Sequence, residues 1–166
     1  MNTGTKKNWE EQLDELLPLL GHRNWILVVD KAFPLQSAPG MTYINTGGEL
    51  LEVLGKVAKK IEAATHVVGI YYTDVELKYI SEDLVRRIED FKFDLRRVLA
   101  GKNTQTLNHN DVFKRLDDAS KLFNVIVLKT EQVMPYTSVF IELDCGYWSA
   151  EKETILRNLM QEAPSC

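Results

Sequence analysis

The sequence has few of the residues on which disulfides and metal sites depend. Its 166 residues include only two cysteines, Cys145 and Cys166, which lie well apart. These are too few for a disulfide framework or a thiolate metal centre. The three histidines show no HxxxH spacing, and we therefore predict no metal site. This sparing use of cysteine is typical of a protein of a reducing, cytoplasmic compartment.

Long apolar runs and an excess of positive charge are also absent. No stretch reaches the roughly 20 apolar residues that cross a bilayer, and the first fifteen residues lack the apolar segment of a signal peptide. The 20 basic residues are outnumbered by 24 acidic ones, for a formal charge of −4, whereas nucleic-acid recognition depends on basic surface. We therefore expect a cytoplasmic protein without a membrane or nucleic-acid partner.

The short motifs of several enzyme classes are missing as well. Neither the phosphate-loop pattern GxxxxGK(S/T) nor the dinucleotide pattern GxGxxG occurs, and Thr46-Gly47-Gly48 alone is a weak anion-binding signal. There is no GxSxG nucleophile elbow. The sequence therefore gives no support for nucleotide binding or for a serine hydrolase.

What the chain does contain is an alternation of apolar strands and amphipathic helices. The predicted strands are 25–29, 42–45, 66–72, 124–128 and 138–143. The predicted helices, with their capping residues, are 8–21 with a kink at Pro18, 46–65, 81–101 with Leu84 inward, 110–121 and 149–162. This order predicts a three-layer α/β fold, with a largely parallel sheet and helices on both faces. In such sheets ligands bind beyond the carboxyl ends of the strands.

Two side chains flank the first strand. Asp30 lies at its carboxyl end, where a carboxylate can accept hydrogen bonds from ligand hydroxyls or act as a general base. His22 lies at the other end, roughly 25 Å away along an extended chain. The two can share a substrate only if the chain bends back at Gly21, or if a site is shared between subunits. A capping role for His22 and a turn-forming role for Asp30 stay open.

Five short segments carry a family resemblance. They are Gly21-His22, Asp30 with Phe33-Pro34, Gly47-Gly48-Glu49-Leu50-Leu51-Glu52-Val53-Leu54, Asp111-Val112-Phe113-Lys114 and Pro135-Tyr136-Thr137-Ser138. In this order and spacing they resemble the D-ribose pyranase and L-fucose mutarotase family over about residues 10–146. The resemblance implies that family's fold for a mutarotase-like α/β domain, 1–146, with 147–166 as a C-terminal helical extension of the same domain.

The resemblance also implies an activity and a site. Members of the family are cofactor-independent isomerases that interconvert anomers or ring forms of unphosphorylated monosaccharides, here of ribose or fucose type, and they form ring-shaped homo-oligomers, commonly decamers. The implied catalytic residues are His22 and Asp30 from one part and Tyr136 from another, across a subunit boundary. The implied substrate-binding residues are His109, Asn110, Lys114 and Ser138.

Two positions depart from the family's pattern. Asn110 stands where ribose-type members have a histidine, with His109 one position earlier, and Ser138 replaces the usual asparagine. A non-catalytic sugar-binding or regulatory protein that retains the fold is therefore an alternative interpretation. A third is an α/β assembly protein without a ligand, which an empty, apolar crevice near Asp30 would indicate.

Overall fold

A computed structural model describes residues 5–164 of the protein. The helices are α1 (Trp9–Leu16), α2 (Leu50–Ala63), α3 (Ile88–Val98), α4 (His109–Ser120) and α5 (Ala150–Glu162). The strands are β1 (Trp25–Val29), β2 (Met41–Asn45), β3 (Val67–Asp74), β4 (Thr104–Leu107), β5 (Val125–Lys129) and β6 (Val139–Cys145). Short 3₁₀ turns, Leu17–Leu19 and Val75–Tyr79, follow α1 and β3. Cys166 and the outermost residues of the predicted domain division lie outside the described range.

The apolar run of β1 forms an inner strand of the sheet, and neither of its faces is exposed to water. Every residue from Trp25 to Val29 is buried, as expected of a strand that is covered on both sides. The six strands are ordered β2-β5-β1-β6-β3-β4. Only β6 pairs antiparallel with its neighbours β1 and β3, and the other described pairings are parallel. The predicted largely parallel sheet is confirmed.

Helices cover both faces of this sheet. On one face α1, α2 and α3 pack through buried residues such as Leu13, Leu54 and Ile88. On the other face α4 packs through Val112 and Leu116. The predicted three-layer arrangement is therefore confirmed, and it leaves the ends of the strands as the places where side chains can meet a ligand.

The edge strand β4 is missing from the sequence prediction. Its residues Thr104–Leu107 are polar or largely exposed, and the strand pairs only with β3, so it lacks the apolar alternation that predicts a strand. The expected disturbance at Pro18 is confirmed, because α1 ends at Leu16 and the chain continues as a 3₁₀ turn.

The third helix begins later than predicted. Arg87, directly before α3, has a left-handed backbone conformation with φ of 69°, which a continuous helix cannot contain. The Glu82 carboxylate accepts hydrogen bonds from the backbone N–H groups of Arg87 and Glu89, at 2.7 and 2.9 Å. The segment from Ser81 is therefore a capping loop, and Leu84 is 74% exposed instead of inward.

The C-terminal helix α5 forms as predicted but does not join the core. Ser149 caps it by accepting a hydrogen bond from the backbone N–H of Lys152 at 3.1 Å. None of the residues of α5 is buried. Within residues 5–164 no helix, α5 included, is both long and apolar enough to cross a membrane.

Candidate functional site

The carboxyl ends of β1 and β3 lie on either side of the start of β6. Val139, the first residue of β6, pairs with Val28 of β1 and with Thr73 of β3. Asp30 and Asp74 come two residues and one residue after those partners. The two carboxyl groups therefore share the edge of the sheet at which α/β proteins bind ligands.

A cavity of about 300 Å³ opens at this edge, at the lower end of the range for small-molecule sites. Its polar lining consists of Asp30, Asp74, His109, Tyr136 and Ser138. Two aromatic rings, Phe33 and Phe113, also line it and stack with their centroids 5.6 Å apart. No lysine or arginine lines this cavity. The site therefore offers hydrogen-bond acceptors and aromatic faces and has no cationic side chain for an anion.

Ser138 fixes the position of Asp30. Its hydroxyl donates to Oδ1 of Asp30 at 3.0 Å and accepts from the Asp30 backbone N–H, also at 3.0 Å. Because Ser138 is buried directly before β6, this double contact ties the end of β1 to the start of the neighbouring strand. The second carboxylate oxygen of Asp30 makes no hydrogen bond within the described chain and is free for a ligand hydroxyl.

His109 enters the cavity from the first position of α4. Its Nδ1 lies 2.9 Å from Oδ2 of Asp74, and its backbone N–H donates to the Glu76 carboxylate at 2.9 and 3.2 Å. Its ring packs against Phe113, with centroids 4.6 Å apart. The imidazole is thus held by a carboxylate and a ring, and Nε2 is the nitrogen left for a ligand.

Asp74 is the site residue that the sequence prediction misses. Its side chain is fully buried, and Oδ1 has no hydrogen-bond partner within the described chain. Burial raises the pKa of this carboxyl from 3.8 to about 6, although its hydrogen bond with His109 opposes the increase. The sequence does contain a signal for Asp74, because this carboxylate lies at the carboxyl end of an apolar strand, as Asp30 does.

Tyr136 has a backbone conformation that is rare for a residue with a side chain. Its φ is 56°, in the left-handed region, and its side chain is 40% exposed. The ring meets the His109 ring edge-on, with centroids 5.3 Å apart. Nearby, the hydroxyl of Thr137 donates to the carbonyl of Met134 at 2.7 Å and ties the turn together. Strained residues of this kind cluster at functional sites.

His22 lies at the opposite edge of the sheet from Asp30. The five residues of β1 lie between them and alone span about 17 Å of extended chain. Its Nδ1 is 2.8 Å from Oδ1 of Asp144, and the Arg23 guanidinium donates to its Nε2 at 3.3 Å. Within one chain His22 is therefore apart from Asp30, and a site that contains both stays a prediction that requires a second subunit. The 130–138 segment returns past the end of β1 and brings Tyr136 to Asp30.

Asn110 and Lys114 do not line the cavity, although the resemblance implies substrate contacts for both. Both are exposed on α4. His109 and Phe113 are four residues apart and share the helix face that meets the cavity, whereas Asn110 and Lys114 share the next face around the helix. The cap of α4 sets this register, since the Asn108 side chain accepts from the backbone N–H of Asn110 at 3.1 Å.

The fold and the cavity together define an α/β protein with a carboxylate, an imidazole and a phenol at the carboxyl edge of its sheet. No protein-family profile matches the sequence, and no curated protein matches it.

Solved structures share the fold. Bacillus subtilis RbsD complexed with D-ribose superimposes with a TM-score of 0.59 at 17% identity, over 84% of this chain and 96% of that one. A fucose mutarotase from Streptococcus pneumoniae in complex with L-fucose gives 0.54 at 18% identity, over 80% and 91%. FucU from Bifidobacterium longum gives 0.51 at 13% identity, over 81% and 94%. The fold implied by the sequence resemblance is therefore confirmed.

Proposed function

We propose that this protein is a cofactor-independent isomerase that interconverts the anomers or ring forms of an unphosphorylated monosaccharide of ribose or fucose type. One observation carries the proposal: Asp30, His109 and Tyr136 line a single small cavity with two aromatic rings. Two solved structures with this fold are complexes with sugars, D-ribose in one and L-fucose in the other. For such an enzyme of sugar metabolism we propose a cytoplasmic location.

The reaction needs only proton transfers, which these side chains can perform. A base takes the proton of the anomeric hydroxyl while an acid gives a proton to the ring oxygen, the C–O bond breaks, and an open-chain carbonyl forms. Addition of a hydroxyl to either face of that carbonyl closes a ring again. In our proposal His109 Nε2 and Asp30 accept protons and hold hydroxyls, and the Tyr136 phenol donates to oxygen.

The lining of the cavity favours a neutral sugar over a phosphorylated one. Phosphate recognition uses arginine, lysine or a helix N-terminus. No lysine or arginine lines this cavity, and the first N–H groups of α4, those of His109 and Asn110, already donate to Glu76 and Asn108. Asp30 and Asp74 would instead repel a phosphate. The faces of Phe33 and Phe113 provide apolar surface for the C–H groups of a sugar.

We further propose that the protein is a homo-oligomer, a decamer as the resemblance implies, in which His22 reaches the cavity of a neighbouring subunit. The His22 side chain is 57% exposed, so a second copy has access to it. A site that one chain leaves without His22 would then be completed across an interface. In that arrangement His22 can act as the acid or the base beside Asp30 and Tyr136.

Subunit mixing tests this arrangement. His22→Ala and Asp30→Asn chains, each inactive alone, are co-assembled at equal amounts. If the two residues act in one site across an interface, random mixing restores activity to about a quarter of the sites. If His22 serves only its own chain, the mixture stays inactive. Wild-type activity of His22→Ala alone would remove His22 from the proposed site.

A specific observation favours the second candidate, a non-catalytic sugar-binding protein. Ser138 uses its hydroxyl on Asp30, where the family's asparagine would offer an amide, and Asn110 lies outside the cavity. Such a protein binds sugar without accelerating exchange. The third interpretation, an assembly protein without ligand, is disfavoured because the crevice near Asp30 has a polar lining.

Exchange NMR on ribose, fucose and related sugars tests the proposed activity. We expect the wild-type protein to accelerate interconversion of at least one of these sugars, and Tyr136→Phe to reduce that acceleration. Sugar binding without acceleration would select the second candidate. No binding and no acceleration for any of the sugars would contradict both.

A further inference from the structure

Asp74 is a fully buried carboxyl group, and only one of its two oxygen atoms has a hydrogen-bond partner within the described chain. Oδ2 meets the His109 ring, but Oδ1 is buried without a hydrogen-bond partner in the described chain. An unpartnered buried carboxylate oxygen destabilises a folded protein. Such a group is therefore expected where function requires it, and Asp74 lies in the wall of the proposed sugar cavity.

The contact between Asp74 and His109 selects one form of the imidazole. A carboxylate accepts hydrogen bonds, so the Nδ1 atom that lies 2.9 Å from Oδ2 carries the hydrogen. In neutral His109 the other nitrogen, Nε2, is then unprotonated and can accept a proton. Asp74 thus determines which nitrogen of His109 is available as a base.

Inside the proposed sugar cavity the charged groups that face this pair are carboxyls. On its other side Asp74 borders a second cavity, which is lined by Lys78, Lys92, Arg96 and Lys102. Asp30 faces the pair from the end of β1, and Glu76 from the turn after β3, where it binds the His109 backbone N–H. His109 itself comes from α4, and no lysine or arginine lines the cavity. Within the described chain, the sugar cavity therefore presents carboxyl groups and no cationic side chain to the His109 ring.

We propose that Asp74 is a positioning residue for the sugar interconversion proposed above, on which this inference rests. Its carboxylate holds His109 in the Nδ1-protonated tautomer and leaves Nε2 to take a proton from the bound sugar. Asp74 itself touches no sugar in this scheme and acts through the His109 ring.

Glu76 provides a matched control for this role. Asp74→Asn and Glu76→Gln each neutralise one carboxylate in contact with His109, but Asp74 contacts the ring and Glu76 contacts the backbone N–H. A merely structural role at the start of α4 predicts similar effects from both changes. A role in setting the tautomer predicts an effect from Asp74→Asn alone.

The first test is the tautomer of His109 in the sugar-free wild-type protein, read by proton–nitrogen correlation NMR with the ring in its neutral form. The His109 signals are assigned with His109→Gln. We expect the Nδ1–H tautomer in the wild type and in Glu76→Gln, and a mixture in Asp74→Asn. The Nε2–H tautomer in the wild type would overturn the inference without reference to any activity.

The second test is steady-state sugar exchange. We expect Asp74→Asn to lower kcat by about tenfold or more with KM within about twofold, and Glu76→Gln to keep both within about twofold. Equal losses in the two variants, or none in Asp74→Asn, would overturn the positioning role. If the wild type exchanges no sugar, the proposed function fails and with it the catalytic part of this inference. The tautomer measurement then still decides whether Asp74 determines the tautomer of His109.

Discussion

Ser138 holds Asp30 through two hydrogen bonds, one to the carboxylate and one from the backbone N–H, both 3.0 Å long. The side chain that the sequence resemblance marks as a substrate contact is thus engaged in fixing the neighbouring carboxylate. This relationship gives a cavity residue a fixed orientation before any ligand arrives, which lowers the entropic cost of forming a productive complex.

Removal of the Ser138 hydroxyl tests that relationship. Ser138→Ala leaves the Asp30 backbone N–H and Oδ1 without their partner, and we expect a loss of about 1–3 kcal/mol in the free energy of unfolding together with weaker sugar binding. Thr137→Val is the matched control, since it removes a neighbouring buried hydroxyl that bonds to the carbonyl of Met134. Urea melts and sugar titrations should show destabilisation in both but weaker binding in Ser138→Ala only. Equal binding by the two variants would contradict the account.

Asp74 should make stability depend on pH. The pKa of this carboxyl is about 6 in the folded protein and 3.8 as its ordinary value, so between these pH values the folded state keeps a proton that the unfolded state has lost. The free energy of unfolding therefore falls as pH rises through this window, by up to about 3 kcal/mol for about two units.

Asp74→Asn removes the charge and should remove this decline. Urea melts above pH 6 should show the variant to be more stable than wild type, by about 1–3 kcal/mol, and melts below pH 3.8 should show little difference. Asp118→Asn, at a carboxyl whose side chain is 69% exposed, serves as the control and should leave the pH profile unchanged. An Asp74→Asn profile parallel to that of the wild type would contradict this explanation.

The left-handed backbone at Tyr136 predicts an unusual preference for glycine. Tyr136→Gly and Tyr136→Ala both lose the ring, but only alanine has a Cβ that is strained at a φ of 56°. We expect the glycine variant to be more stable than the alanine variant by about 1 kcal/mol. Thermal melts decide the matter, and an alanine variant at least as stable as the glycine variant would show that the turn relaxes.

The register of α4 predicts which of its side chains matter for a sugar. His109→Gln and Phe113→Ala change the wall of the cavity, whereas Asn110→Ala and Lys114→Ala change an exposed face of the same helix. We expect the first pair to weaken sugar binding about tenfold or more and the second pair to change it less than about twofold. Isothermal titration would measure this. A large loss from Lys114→Ala would mean that the substrate reaches beyond the cavity.

The sequence predicts best those elements whose apolar positions are also their buried positions. This holds for the apolar runs of β1 and β5 and for the apolar faces of α2 and α4. The polar edge strand β4 carries no such pattern, and the late start of α3 depends on capping by Glu82, whose partners lie several residues away.

The candidate site is predicted only in part, because its composition depends on how separate segments meet. Asp30 and Tyr136 are recognised from local motifs, but that they line one cavity follows from the path of the 130–138 segment. Asp74, like Asp30, is a carboxylate at a strand end. Its burial and its contact with His109 depend on the fold and cannot be predicted from the local sequence. The separation of His22 from Asp30 within one chain follows from the length of β1, which the sequence predicts.

The measurement that tests the central claim most directly is the sugar-exchange rate of Asp30→Asn at saturating sugar, compared with that of the wild type. The amide keeps the shape of the side chain and can still accept from the Ser138 hydroxyl, so binding should persist. Our account predicts an exchange rate lowered by about a hundredfold or more. Exchange by Asp30→Asn at the wild-type rate would show that the cavity at the carboxyl edge of the sheet is not where the reaction occurs.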